Sequence, residues 1–555
     1  ELDLLVEKKD HVHPVGHGQR SDEIVEPMVS KQWFLNTTSM SEVAVKAVED
    51  GEMTFFPKGW ENTYFAWLRN PKDWCISRQL WWGHQIPVYY CRHCNTQWAA
   101  EETPEACVEC KDTDIYQDPD VLDTWFSSGL WPLSTLGWPD DEAMKEKGFD
   151  KFYPNSTLIT GFDIIFFWVA RMMMMGMKVT GKAPFKHTYI HAIVRDKQGR
   201  KMSKSLGNGI DPLEMIEKYG ADAMRFTLAA GSGYNRDLNL DPERIEGYRN
   251  FVNKLWNAFR FVSPFLDKAQ DELPVKSEWH LHDKWILAEL NDVAQKMNDS
   301  LDVYRFDDAS SEIYSFVYDK FCSWYIELSK NILYGEDEKQ KIIRATMLKY
   351  CFKKIVNLLH PITPFITEEI YSYLKDDDSL LISQEYVEFD PSLQNDEVMD
   401  LMNKFIEITT GIRNIRSQVN LKPKDEIDVR LFTEDKKLAK FVYDSRRFLG
   451  DLANVKSGTI RDKSTERPKK SATLATTHTE IFVPLEGLID INDQVSRIKK
   501  DIEKTKQEYS KVEGKLKNEN FMNNAPENVR AEVLEKGRLA QEKLTSLEEI
   551  LKSFE

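Results

Sequence analysis

The chain has 555 residues, 41% of them hydrophobic, which is several times a usual domain and enough apolar material for more than one core. Its 91 acidic against 74 basic side chains give a formal charge of -17, which excludes a surface that attracts polyanions everywhere; any nucleic-acid contact has to be local. Seven cysteines are too few for a disulfide scaffold, and four of them lie close together, which reads as a metal site in a reducing cytosol.

The opening ELDLLVEKKD has neither an initiator methionine nor an apolar signal segment and reads as the inside of something longer. Residues 1 to about 30 carry scattered His, Gly and Pro without periodicity and predict the edge of a domain. From 31 to 250 aromatic and glycine-rich turns alternate with short apolar runs, an α/β pattern. Residues 73–84 (DWCISRQLWWGH) and 123–128 (DTWFSS) are dense in aromatics and predict packing surfaces. Cys91-x2-Cys94 and Cys107-x2-Cys110 are two pairs, each spaced to grip one face of a zinc ion, and the 12 residues between them can close a four-thiolate site with no open position. His93, inside the first knuckle, is expected to face outward.

In TGFDIIFFW (160–168), Gly161 permits close approach of a ligand, and Asp163 is a lone carboxylate entering an apolar helix. It suits either a ribose or amine ligand, or a helix N-cap. The greasy stretch 164–177 contains Arg171 and is shorter than the roughly 20 residues that cross a bilayer, so it predicts a buried helix. A strand is expected over 189–194 (YIHAIV); alternation puts His187, Tyr189 and His191 on one face, as pocket or as core residues. Lys201-Met-Ser203-Lys204-Ser follows, with Gly199 and Gly207 on either side. Two lysines on such a loop can meet a triphosphate as mobile point charges, and a solvated turn is the plain alternative. A helix is expected to begin at Pro212.

Beyond 250 the period becomes helical: 247–261, 283–298, 306–333, 340–360 and 365–374, with Pro361 and Pro364 as an interruption, predict a bundle. One more helix is expected at 396–420, then strands at 427–432, 471–477 and 480–484, with a charged connection at 461–470. Arg413, Arg416 and Lys422 suit either phosphate contact or an ordinary wet face. In the tail, Ile491, Val495, Ile498, Ile502, Thr505, Tyr509, Val512 and Leu516 step by four and three, and so do Val533, Gly537, Ala540, Leu544, Leu547, Leu551 and Phe554. Asn518, Asn520, Asn523, Asn524 and Pro526 lie between them, so the tail predicts an antiparallel coiled-coil hairpin. Residues 491–517 carry eight Lys or Arg against five Asp or Glu, the reverse of the whole chain.

The run KMSKS at 201–205, after a strand and before a helix, resembles the signature of class I aminoacyl-tRNA synthetases. Together with EPMVSKQWF (26–34), WENTYFAW (60–67), the aromatic segments and MRFTLAA (224–230), it resembles the valyl enzymes of that class more than the isoleucyl or leucyl ones. The resemblance runs from about 26 to the tail. It implies the C-terminal half of a class I Rossmann-like catalytic domain over 31–250, with its zinc knuckle at 91–110, after the end of an inserted editing domain at 1–30. An all-α anticodon-binding bundle (251–395), a small α/β junction (396–487) and a coiled-coil tRNA-binding arm (488–555) follow.

The activity implied is ATP-dependent ligation of L-valine to tRNA(Val) through an adenylate, with Mg2+ on the phosphates and Zn2+ on Cys91, Cys94, Cys107 and Cys110. Lys201 and Lys204 would stabilise the departing pyrophosphate, and Gly161, Asp163, His187 and Ser203 would join them in binding the nucleotide. A cytoplasmic monomer without membrane attachment is expected. No HIGH-like segment occurs, so the first catalytic half is expected before residue 1 and the chain alone is expected to be inactive. HPVGH at 13–17 is in the wrong place to substitute, and His11, His13, His17, Arg20 and Asp22 are not assigned as an editing centre. An isoleucyl-like enzyme and a non-catalytic tRNA-binding or assembly protein remain the alternatives.

Overall fold

The computed structural model describes residues 7–18, 21–202, 207–234, 237–422, 424–462, 468, 471–486, 488, 491–516, 534–538, 541, 544 and 551. Two compact units divide the chain, one of residues 1–193 with 234–238, the other of 194–233 with 239–555.

The first unit contains, in chain order, β1 (Thr54–Phe56), β2 (Val88–Cys91), β3 (Gln97–Ala99), β4 (Ile115–Gln117), β5 (Asn155–Gly161) and β6 (Phe185–His191). β6 lies between β1 and β5 and is parallel to both, with His187 opposite Thr54 and Thr157. Thr188, Tyr189 and Ile190 form a continuous buried run, as a parallel strand covered on both faces requires. The strand therefore starts four residues before the expected 189 and ends at His191.

Helices α1 (Thr38–Glu49) and α2 (Ala170–Thr180) cover this sheet with apolar side chains, Met172, Met173 and Met174 among the most buried. The approach to α2 is wound first as a 3-10 turn (Phe162–Ile164) and then as a π turn (Ile165–Val169). Arg171, the one charge in this greasy run, is buried with its guanidinium 3.9 Å from the Trp74 ring centre and 4.7 Å from that of Phe166. Burial draws it down to about 10 against the opposing pull of Asp123. That carboxylate also accepts from Trp74 Nε1 at 2.9 Å and pairs with Arg78 at 3.0 Å. The aromatic density of 73–84 and 123–128 is thus, at Trp74 and Asp123, the housing of a buried cation.

The second unit begins with α3 (Pro212–Tyr219), α4 (Ala221–Gly231) and α5 (Pro242–Val262). The bundle helices α6 (Leu281–Asp302), α7 (Phe306–Ser315), α8 (Ile326–Leu333), α9 (Glu338–Leu359) and α10 (Pro364–Ser372) follow, and α11 (Asp396–Gln418) leads to the last segments. Phe251, Phe259, Trp285, Phe321 and Phe352 fill one core, the product of the helical apolar stripes. The interruption at Pro361 and Pro364 is held by α4: Asp222 accepts from the amides of Phe365 and Ile366, and Arg225 donates to the carbonyls of Pro361 and Ile362.

The stretch 306–333, expected to be helical from its apolar spacing, contains a ten-residue π segment, Phe316–Tyr325. There the Tyr318 carbonyl accepts from Ser323 Oγ five residues on (2.7 Å) and from Lys254 Nζ (3.0 Å), bonds that suit the wider winding.

The small α/β portion pairs β7 (Ile427–Phe432), β8 (Val455–Arg461), β9 (Ser471–Ala475) and β10 (Glu480–Pro484) in the order β8-β7-β10-β9. Strand β8 and the helices α12 (Lys436–Asp444) and α13 (Arg446–Ala453) are not among the sequence expectations. The charged connection at 461–470 lies mostly outside the described residues. Arg416 is buried and donates to the carbonyls of Lys422 and Asp425, and Arg413 donates to the carbonyl of Leu452. The Arg416 guanidinium is thus part of the fold, neither a phosphate contact nor a wet face, while Arg413 and Lys422 are exposed.

Helix α14 (Ile491–Leu516) opens the tail, with Ile502 and Thr505 buried, Tyr509 and Val512 half-buried, and Lys499, Lys500, Lys504 and Lys506 exposed. Among the described residues after 533, Gly537 and Leu544 are buried and Leu551 half-buried, all at positions of the expected second seam. The reversal at 517–533 lies outside the described residues. Among those residues no helix is long and apolar enough to cross a membrane.

Candidate functional site

The cysteine cluster grows out of β2, whose last residue is Cys91. After each pair the chain turns through a residue of positive φ, Asn95 (56°) after Cys94 and Lys111 (63°) after Cys110. In each turn that residue's amide donates to the carbonyl of the pair's first cysteine, so the two knuckles have the same build. They bring Cys91 Sγ to 3.5 Å from Cys110 Sγ and Cys94 Sγ to 3.6 Å from Cys107 Sγ, and all four sulfurs lie within 4.8 Å of one another. Four thiolates around one zinc at a bond length of about 2.3 Å would stand about 3.8 Å apart, so the donor set fits one tetrahedral ion.

Hydrogen bonding by the Thr96 side chain and then its amide draws Cys94 down to about 6. Against the Asp112 amide, which lowers it, desolvation and the neighbouring sulfurs push Cys110 up to about 12. Four sulfurs this close cannot all ionise without a cation. His93 is exposed, 4.0 Å from Asp112, and is no part of the cluster.

Gly161 ends β5, and the exposed Asp163 sits inside the following turn; the caps there are Gly161 and Ile164, so Asp163 is not the N-cap. A Cβ at position 161 would lie 2.7 Å from Asp163 Oδ1 and 3.8 Å from His191 Cε1. The room that glycine leaves is therefore taken by Asp163's own carboxylate. Beside it, Thr160 Oγ1 is buried without a hydrogen-bond partner among the described residues. Phe162 stacks on Trp60 at 5.2 Å and fixes the turn. His187 is half-buried and meets the Phe56 ring edge-on at 5.1 Å, while His191 is exposed with Nδ1 2.9 Å from the Ala192 carbonyl.

The lysine loop belongs to the second unit. Its entry is a tight turn, 195–201, in which Arg195 and Lys201 form an antiparallel bridge and Gly199 takes φ 77°. Lys197 is pinned by Asp241 and Glu243, both at 3.0 Å. Lys201 is exposed, and no acid among the described residues pairs with it. Met202 packs against the cluster that holds Tyr219, Met224 and Ile245, side chains of α3, α4 and α5. Ser203 and Lys204 lie outside the described residues. Asp196 and Asn208, which bind each other across the loop, are absent from the sequence expectations; the Asp-x-x-Gly pattern at 196–199, a common turn signature, was the available signal.

Three family models match this chain in succession. One described as tRNA synthetases class I (I, L, M and V) matches residues 3–241, one described as the anticodon-binding domain of tRNA ligase matches 283–431, and one described as the valyl tRNA synthetase tRNA binding arm matches 490–555. The valine–tRNA ligase of Clostridium acetobutylicum is 43% identical over 550 residues, 99% of this chain and 62% of that protein. The chain belongs to the valyl-tRNA synthetase family. Its Thermotoga maritima relative is 42% identical over 561 residues, covering 100% of this chain and 62% of that protein. The chain thus spans about three fifths of the length of the relatives it matches. Mycobacterium tuberculosis methionyl-tRNA synthetase in complex with methionyl-adenylate shares 19% identity at a TM-score of 0.51, covering 65% of this chain and 66% of that one, a likeness of fold alone.

Within the valyl-tRNA synthetase family assignment, the class I model covers the cysteine cluster, the Gly161 turn and the lysine loop together. The arm model covers α14 and the residues after it.

Proposed function

We propose that this chain takes part in the ATP-dependent charging of tRNA(Val) with L-valine. The succession in one chain of a class I catalytic segment, an anticodon-binding segment and a valyl-type arm carries the reading. In the first step a valine carboxylate oxygen bonds to the α-phosphorus of ATP as the bond to pyrophosphate breaks. In the second a terminal ribose hydroxyl of the tRNA attacks the activated carbonyl, and AMP leaves. Such steps depend on positioning and charge stabilisation.

Gly161, Asp163 and His187 are assigned to the nucleoside end of the nucleotide, and Lys201, Ser203 and Lys204 to its phosphates, which Mg2+ accompanies. The domain boundaries at 30, 250, 395 and 487, a monomeric state and a cytoplasmic setting belong to the same proposal. The exposed lysines of α14 are the proposed tRNA contact of the arm.

The test compares the chain alone with the chain joined to the preceding part that its relatives supply. The joined protein is expected to exchange labelled pyrophosphate into ATP when valine is present and to charge tRNA(Val), with weaker and less salt-dependent tRNA binding once residues after 486 are removed. The chain alone is expected to exchange almost nothing. Exchange supported by isoleucine and not valine would reverse the substrate; none with any amino acid would leave a tRNA-binding protein.

The cysteine cluster is proposed to hold one structural Zn2+ through Cys91, Cys94, Cys107 and Cys110, which closes the two knuckles on each other. Elemental analysis of dialysed protein is expected to give one zinc per chain, and a strong chelator to release it with loss of amide protection around β2 to β4. Four freely titrating thiols in metal-free, fully protected protein would sink the assignment.

A further inference from the structure

The lysine loop has a feature that the family match does not explain: one buried carboxylate holds both of its ends. Asp196 is 5% exposed, yet it is surrounded by donors rather than by a single cation. On the entry side its Oδ1 accepts from the amides of Gln198 (3.1 Å) and Arg200 (2.8 Å), and its Oδ2 from Arg200 Nε (2.7 Å). On the exit side the same Oδ2 accepts from Asn208 Nδ2 at 3.0 Å. That amide also donates to the carbonyl of Lys201 at 3.2 Å, so Asn208 ties the exit to the backbone of the lysine itself. The turn is closed further by Asp196 and Arg200 through main-chain bonds and by Arg195 Nη1 on the Gly199 carbonyl.

We propose that Asp196 is the positioning residue of the lysine loop, clamping residues 200 and 208 to one carboxylate so that Lys201 leaves a fixed backbone with its ammonium directed to phosphate. The inference rests on the phosphate role given to Lys201 above. A lysine on a four-carbon stem gains little from its charge unless the Cα that carries it is held, because orientation is where most of the catalytic advantage lies. Asp196 needs no contact with ATP to do this. Its ionised state is secured by the same donors: the Asn208 amide first, then the Arg200 backbone and side chain, draw its carboxyl down to about 2 despite burial. The clamp is thus fully charged throughout the neutral range. A neutral isostere would turn one of its two accepting atoms into a donor facing Asn208 or Arg200.

The deciding experiment compares Asp196→Asn, Asp196→Ala and Asn208→Ala with the unsubstituted protein in two readouts. In valine-dependent pyrophosphate exchange by the joined enzyme, each is expected to raise the KM for ATP by about tenfold or more and to lower kcat, with the KM for valine within about twofold. The double variant Asp196→Asn with Asn208→Asp, which reverses the donor and acceptor of the bridge, is expected to regain part of the loss. In hydrogen exchange on the chain itself, amides of 198–202 and 207–210 are expected to open faster in the single variants while those of α6 and α9 keep their protection. A general folding defect would move both KM values and all amides together. Unchanged ATP kinetics with unchanged protection at 198–202 would overturn the positioning role. Were the unsubstituted joined enzyme to show no exchange, the proposed function would fail on that ground, and the amide readout would still decide whether Asp196 holds the loop. Asn208→Ala, which leaves the buried carboxylate in place, serves if the Asp196 variants do not fold.

Discussion

Replacing Arg344 by alanine is expected to destabilise the helical bundle by on the order of 3–5 kcal/mol, the cost of removing one partner from a buried ion pair. Arg344 on α9 is 1% exposed and Asp283 on α6 is not exposed at all. Nη1 lies 2.8 Å from Asp283 Oδ1 and donates to Ser329 Oγ at 3.3 Å, while Nη2 donates to the His282 ring and to Asp283 Oδ2. Asp283 also accepts from Tyr325 at 2.7 Å and from the His280 amide at 2.9 Å, so it closes the capping box in the first turn of α6. Alanine would leave that carboxylate buried with two neutral donors and no cation.

Native-state hydrogen exchange over 281–302 measures the local opening energy without assuming that both units unfold together. Loss of less than about 1 kcal/mol there would mean that water enters and solvates Asp283.

A pH dependence accompanies it. Burial first, and then the neighbouring Arg344, hold His282 well below its ordinary 6.5. Above that value folded and unfolded chains both keep the imidazole neutral. Below it only the unfolded chain takes the proton, so stability is lost as pH falls through about 6.5, by at most about 1.4 kcal/mol per pH unit for this group.

Whether such features can be read from a sequence depends on how local their cause is. The two knuckles at 91–110 were legible because both halves of the donor set follow a fixed spacing, and the turn geometry at Asn95 and Lys111 is local as well. The seam of α14 was legible because burial there follows a period. Strand β8, with its all but fully solvated VKSGTIR, has no alternation to reveal it; it is a strand because β7 lies beside it in parallel register. Arg416 and Arg171 look in sequence like solvent-seeking cations, and both are buried because carbonyls or ring faces from distant segments meet them. Asp196 was missed for a related reason. Three of its four donors are local to the turn, but its meaning lies in the fourth, Asn208, twelve residues on.

Lys201→Ala in the joined enzyme is expected to lower kcat for valine-dependent pyrophosphate exchange about a hundred- to a thousandfold, with a smaller rise in the KM for ATP. That is the size of effect seen when a preorganised group that stabilises developing charge is removed, about 2.7–4 kcal/mol. The structure gives the reason to expect so much of one exposed side chain. Its backbone is fixed by the Arg195 bridge and by Asn208, and no acid among the described residues neutralises its ammonium. Lys197, four residues earlier in the same turn, is the internal contrast: its charge is already committed to Asp241 and Glu243 at the start of α5. Exposed pairs of that kind contribute little, so Lys197→Ala is expected to stay within about threefold of the unsubstituted enzyme. Lys201→Arg should recover only part of the loss, because a planar guanidinium keeps the charge but cannot follow the phosphates as a compact ammonium does. Lys204 lies outside the described residues; on the same proposal its alanine variant should lose activity comparably, and removing both should cost less than the product of the two if they act on one leaving group. Equal, modest losses at Lys197 and Lys201 would show that the loop contributes only general positive charge, and the assignment of Lys201 to the departing pyrophosphate would then be withdrawn.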